Sequence, residues 1–135
     1  MWDLAEYRRW FGQAEHILAS ARRDAEGSDY SWACFKAEQA AQLALKALLI
    51  GQGVAAFGHS TRELVEKVRG LGLEVPHQVE DAARGLERHY IPSRYPDAYP
   101  SGSPYQFYDR EDAERALEQA QAVLDFVRGA MADAT

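Results

Sequence analysis

The chain is 135 residues long, 47% hydrophobic and 27% charged, a length and composition that suit one domain with a genuine core. Its formal net charge of −6 and pI of about 5.2 speak against a broad grip on duplex DNA or an anionic membrane, both of which need clustered Lys and Arg. One cysteine, Cys34, excludes an internal disulfide and a multi-cysteine zinc site, and no apolar run approaches the roughly 18 to 20 residues of a membrane span.

The N-terminal stretch MWDLAEYRRW is charged and amphipathic and has no apolar signal region, so a cytoplasmic protein is expected. From about Asp3 to Ala25 the apolar positions Leu4, Tyr7, Phe11, Ala14, Leu18 and Ala21 recur every three or four residues, which predicts a helix. Trp2, Tyr7 and Trp10 on that helix offer an aromatic face to a second copy. Gly27 ends it, and Ser28 or Asp29 can cap a second helix over about Tyr30 to Ile50. There Trp32, Phe35, Gln39, Ala40, Leu43, Ala47 and Ile50 fall at helical spacing, and the small residues Ala40, Ala41 and Ala44, with Ala113, Ala116 and Ala120 near the C-terminus, would let helices approach closely. Ser60 and Glu63 form a capping-box pattern for a short third helix with Leu64, Val65, Val68 and Leu71 inward, closed by Gly70 and Gly72. Pro76 opens a fourth helix whose buried side runs through Val79, Ala82, Ala83 and Leu86 to Tyr90 or Ile91. A last helix starts at Asp109, where Asp109 and Asp112 suit the positive end of a helix dipole, and runs to about Met131. No segment alternates like a strand. The expected fold is all-α: one domain over residues 1–135, an antiparallel bundle of four main helices plus one short one.

The long interruption before the last helix reads IPSRYPDAYPSGSPYQFY. Helix connections in bundles take roughly 2 to 8 residues, so this one exceeds a mere connector. Pro92, Pro96, Pro100 and Pro104 forbid helix, while Tyr90, Tyr95, Tyr99, Tyr105, Phe107 and Tyr108 supply contact area, which predicts an ordered loop packed on the bundle. Those tyrosines either cover a helix face or line a pocket or partner surface given polarity by Arg94.

Three features are similar to the minimal HEPN domains of prokaryotes: the phrase CFKAEQAAQLALKALLIGQG, His59 at the start of the third helix, and the phrase LERHYIPSRYPDAYPSG. The resemblance spans nearly the whole chain. It implies a small helical bundle, often dimeric and paired with a minimal nucleotidyltransferase, linked to nucleotide or RNA binding. Some branches are metal-independent ribonuclease toxins, in which an Arg binds the scissile phosphate and a His, separated from it by four to six residues, shuttles a proton. The matching spacing here is Arg84 to His89, but it lies in the fourth helix rather than at the start of the last one, with Gly85 where the family carries a polar residue. Five helical residues turn through about 500°, so the two side chains diverge unless the helix ends near them.

The candidate catalytic pair is therefore His89 with Arg84, and the candidate ligand-binding set is Arg94, Tyr95, Tyr90, Asp97, His59 and Lys46. Arg94, between two prolines, is suited to hold a phosphate or carboxylate bidentately; it could equally pair with Asp97 or Glu38 and pin the loop. His59 suits capping or packing better than acid–base work, and Lys46 would face phosphate if the pocket lies between the second helix and the loop. His16 and His77 share no ligand spacing with other donors, so neither a metal nor a cofactor is expected. The expected partners are a second copy, a nucleotidyltransferase subunit, and a nucleotide or RNA. A ribonuclease toxin and a purely structural interaction subunit are the rival readings.

Overall fold

Asp3 starts the first helix by accepting the Glu6 backbone N–H at 3.2 Å, the usual work of an N-cap carboxylate. The computed structural model describes residues 1–134, with helices α1 (Leu4–Glu26), α2 (Tyr30–Gly51), α3 (Thr61–Arg69), α4 (His77–Glu87) and α5 (Arg110–Ala134). Among the described residues there is no strand, and no helix is long and apolar enough to cross a membrane. α1 buries the stripe expected of it, Tyr7, Phe11, Ala14, Leu18 and Ala21. Tyr7 therefore offers no face to a second copy; it is a core residue stacked on Phe11 at 5.4 Å.

α2 is the central helix, in contact with each of the other four. The small residues expected at close helix approach, Ala40, Ala41 and Ala44, lie on its buried face, while the large residues at helical spacing do not all follow them. Ala33, Ala37, Ala40, Ala41, Ala44, Leu45 and Leu48 are fully buried, whereas Trp32 is exposed and Phe35, Leu43 and Ile50 are only half-buried. Side-chain size explains the division: where helix axes come close, alanine fits and tryptophan does not. The matching alanines of α5, Ala113, Ala116 and Ala120, are likewise fully buried.

Ser60 caps α3 by accepting the Glu63 backbone N–H at 3.1 Å, and its hydroxyl also donates to Glu87 of α4. Asp109 and Asp112 cap α5 reciprocally, each carboxylate accepting the other's backbone N–H, at 3.0 and 2.9 Å. α4 stops at Glu87, earlier than predicted, and the chain passes through tight turns in which His89 and Tyr90 donate to Leu86 and Glu87 carbonyls at 2.9 and 3.2 Å. Pro92 keeps the helix from resuming, since it has no N–H to give the Arg88 carbonyl and disfavours helical geometry at Ile91.

The proline-rich segment is ordered as expected, with single 3-10 turns at Pro96–Ala98 and Pro104–Gln106. Tyr99 stacks flat on Phe107 at 4.4 Å and donates its hydroxyl to the Pro92 carbonyl at 2.8 Å, so much of the loop folds back upon itself.

Candidate functional site

Residues 88–95 form a short strap between α4 and the loop, and neighbouring residues on it face different walls. His89 turns toward α5, and Tyr90 and Arg94 turn toward α2.

On the α2 side, Phe35 and Tyr90 lie at 6.5 Å between ring centroids, and His59 stacks on Tyr90 at 4.7 Å with the rings 15° from parallel. Trp32 meets Phe35 edge-on at 5.6 Å and extends the aromatic row along α2. The Arg94 guanidinium sits 4.1 Å from the Phe35 ring and 4.9 Å from those of Tyr90 and Tyr95. Its Nε and Nη2 donate to the Tyr90 carbonyl at 3.0 and 2.6 Å, and Nη1 has no hydrogen-bond partner among the described residues. Stacking and the paired bonds hold the plane of the guanidinium, which a lysine could not do.

Beneath this wall lies Glu38, fully buried on α2. Gln42 and Gln39 donate their side-chain amides to its two oxygens, the latter at 2.9 Å, and no cation of the described residues comes within ion-pair distance. Burial pushes its carboxyl up to about 7, against the opposing pull of the two amides and the Arg94 charge. Lys46, two turns further along α2, is half-buried, and burial pushes its ammonium below the usual lysine value while Glu38 pulls the other way.

On the α5 side, His89 is buried, and its Nδ1 lies 3.0 Å from the Tyr108 hydroxyl. Ser93 ties the strap by donating its hydroxyl to the His89 carbonyl. Burial, helped by the Arg88 charge, lowers the His89 imidazole to about 4, so the ring is neutral at pH 7. Burial in turn raises the Tyr108 hydroxyl.

Of the residues singled out in the sequence, Arg94, Tyr90, Tyr95 and His59 come together, with Lys46 on the same helix as Phe35 and Glu38. His89 and Arg84 do not. Arg84 is exposed on α4 and pairs with Glu80 and Asp81 at 3.1 and 3.3 Å, away from the imidazole. Asp97 is exposed in a 3-10 turn and pairs with no cation among the described residues; Arg94 forms neither of the two ion pairs considered for it. Phe35 and Glu38 were not among the candidate site residues. The signal was present in the polar run Glu38, Gln39 and Gln42 within a helix otherwise dominated by alanine and leucine. Cys34, also buried, is pushed up to about 12 by its surroundings and carries no thiolate.

The profile of the HEPN domain matches residues 7–130. The chain belongs to the HEPN family. Its HEPN fold is shared with a crystal structure from Thermus thermophilus at a TM-score of 0.88 and 43% identity, covering 92% of this chain and 97% of that one. An archaeal HEPN homologue follows at TM-score 0.78 and 36% identity, covering 92% and 96%. A HEPN domain protein from Thermotoga maritima matches at 0.75 and 31%, covering 92% and 98%. The HEPN chain is also 26% identical over 124 residues to a protein of Methanocaldococcus jannaschii described as a candidate toxin, spanning 86% of this chain and 82% of that relative.

Proposed function

We propose that this HEPN domain is a binding module for a nucleotide or the end of a single-stranded RNA, with the phosphate on Arg94 and a base against the exposed rings of Tyr95 or Trp32. The observation that carries this reading is the Arg94 guanidinium, held flat by the Tyr90 carbonyl and three aromatic rings, with Nη1 uncommitted among the described residues. Single-stranded nucleic acid is recognised by such pairings of cations with aromatic faces, each stacked base contributing about 1 to 3 kcal/mol. A chain of net charge −6 can do this only through a local site. The domain acts with a second copy of itself or with a nucleotidyltransferase subunit, as its family resemblance implies.

The test is fluorescence anisotropy of a short labelled single-stranded RNA in EDTA at fixed salt. Arg94→Ala is expected to weaken binding at least about tenfold, and Arg94→Lys to recover only part of it. Equal affinity in wild type and Arg94→Ala would sink the reading.

The relative described as a candidate toxin favours a second reading, a metal-independent ribonuclease working through His89. In that case structured RNA is cut in EDTA and His89→Ala abolishes the cutting. Binding without cleavage rejects it.

A further inference from the structure

Gly85 stands inside α4, where glycine weakens a helix relative to alanine. Its φ is ordinary; what fills the space beside it is the side chain of Gln119 of α5. A Cβ at Gly85 would lie 2.3 Å from Gln119 Nε2 and 3.0 Å from its Cδ. The amide occupies the notch left by the missing side chain and has no hydrogen-bond partner among the described residues.

That notch opens into a cavity of about 80 Å³ between α4 and α5, lined also by Arg88, His89, Asp112 and Arg115. Arg88 and Arg115 are both exposed and without an ion-pair partner among the described residues. Asp112 is already engaged in capping α5, its carboxylate accepting the Asp109 backbone N–H at 3.0 Å. His89, nine-tenths buried, closes the cavity with a neutral ring. Two arginines against one aspartate leave the cleft locally positive on an acidic chain. The space is large enough for waters and for one phosphate group.

We propose that this cleft is a second site, separate from the Arg94 wall, that takes a single phosphate group. Arg88 and Arg115 clamp its oxygens, and the Gln119 amide donates from the Gly85 notch. The proposal does not depend on RNA binding at Arg94.

The test follows the His89 ring resonances of the full chain by NMR at constant pH and ionic strength. Inorganic phosphate, a nucleoside 5′-monophosphate and a dinucleoside phosphodiester are titrated separately. A saturable His89 shift is expected in wild type and in Arg94→Ala, weakened about tenfold in Arg115→Ala or Arg88→Ala and lost in the double variant. Gly85→Ala, which suits a helix and displaces only the flexible end of Gln119, is expected to weaken the shift without loss of helix. Tighter binding of the diester supports the proposal with an RNA backbone as the source, and tighter binding of inorganic phosphate supports it with a free anion. A shift that does not saturate, or one unchanged in Arg88→Ala/Arg115→Ala, overturns it.

Discussion

The two sides of the strap at residues 88–95 offer a controlled comparison. Each has one buried titratable group at its centre, His89 toward α5 and Glu38 toward α2, and in both cases burial favours the neutral form. The His89 side is narrow, and its imidazole rests on one tyrosine hydroxyl. The Glu38 side is broad, aromatic and half-exposed, with an arginine laid across its rings. The lesson is that adjacency in sequence does not build a site here. Arg84 and His89 are five residues apart and never meet, while Phe35, His59, Tyr90 and Arg94 come from three segments and stack together.

The sharpest way to break this comparison is pH. Glu38 lies above its usual 4.5, so the folded chain holds the extra proton between about 4.5 and about 7; this stability is present at low pH and lost as pH rises through about 7. His89 lies below its usual 6.5, so its contribution is present above 6.5 and lost as pH falls through about 4. The two slopes oppose each other and nearly cancel in wild type between about 4.5 and 6.5. Glu38→Gln should therefore lose stability on acidification across that window, and His89→Gln should gain it, each by on the order of 3 kcal/mol. Urea melts of the three proteins at several pH values read this directly. Equal slopes in all three would contradict the burial argument.

Smaller effects sharpen the contrast. Arg94→Ala removes two bonds to the Tyr90 carbonyl and three ring contacts, and should cost about 2 kcal/mol in thermal or urea unfolding. Tyr108→Phe removes the hydroxyl that partners His89 Nδ1 and should cost about 1 kcal/mol, with the His89 titration moving in the NMR spectrum. Arg84→Ala cuts exposed ion pairs and should change stability by no more than about 0.5 kcal/mol and RNA affinity not at all. A larger loss of RNA affinity in Arg84→Ala than in Arg94→Ala would move the site to the other wall.

The helices were legible because their signals are local: apolar spacing in α1, the Ser60 cap, the Asp109 and Asp112 pair, and proline at the ends of the loop. The inward face of α2 was legible in its alanines but not in its large residues. A helix surrounded by four others buries its alanines and leaves Trp32 exposed and Leu43 half-buried, and periodicity alone cannot rank faces by how closely neighbours approach. Much of the candidate site was visible in the phrase containing Tyr90, Arg94 and Tyr95, because tyrosine and arginine between prolines are costly to leave without a role. Phe35 was hidden, since its part in the site depends on the strap folding across α2, a tertiary contact that no local pattern encodes, whereas Glu38 left a trace in the polar run with Gln39 and Gln42. The early end of α4 also escaped notice, and it decides which wall each of His89 and Tyr90 faces.

The central claim is that the α2 wall, and not the Arg84–His89 spacing, is where nucleic acid meets this domain. Photocrosslinking a short single-stranded RNA carrying 4-thiouridine, followed by mapping of the modified peptides, tests it most directly. The account predicts crosslinks on Tyr90, Tyr95 or Trp32 that disappear in Arg94→Ala. Crosslinks confined to α5, or a pattern unchanged in Arg94→Ala, would contradict it.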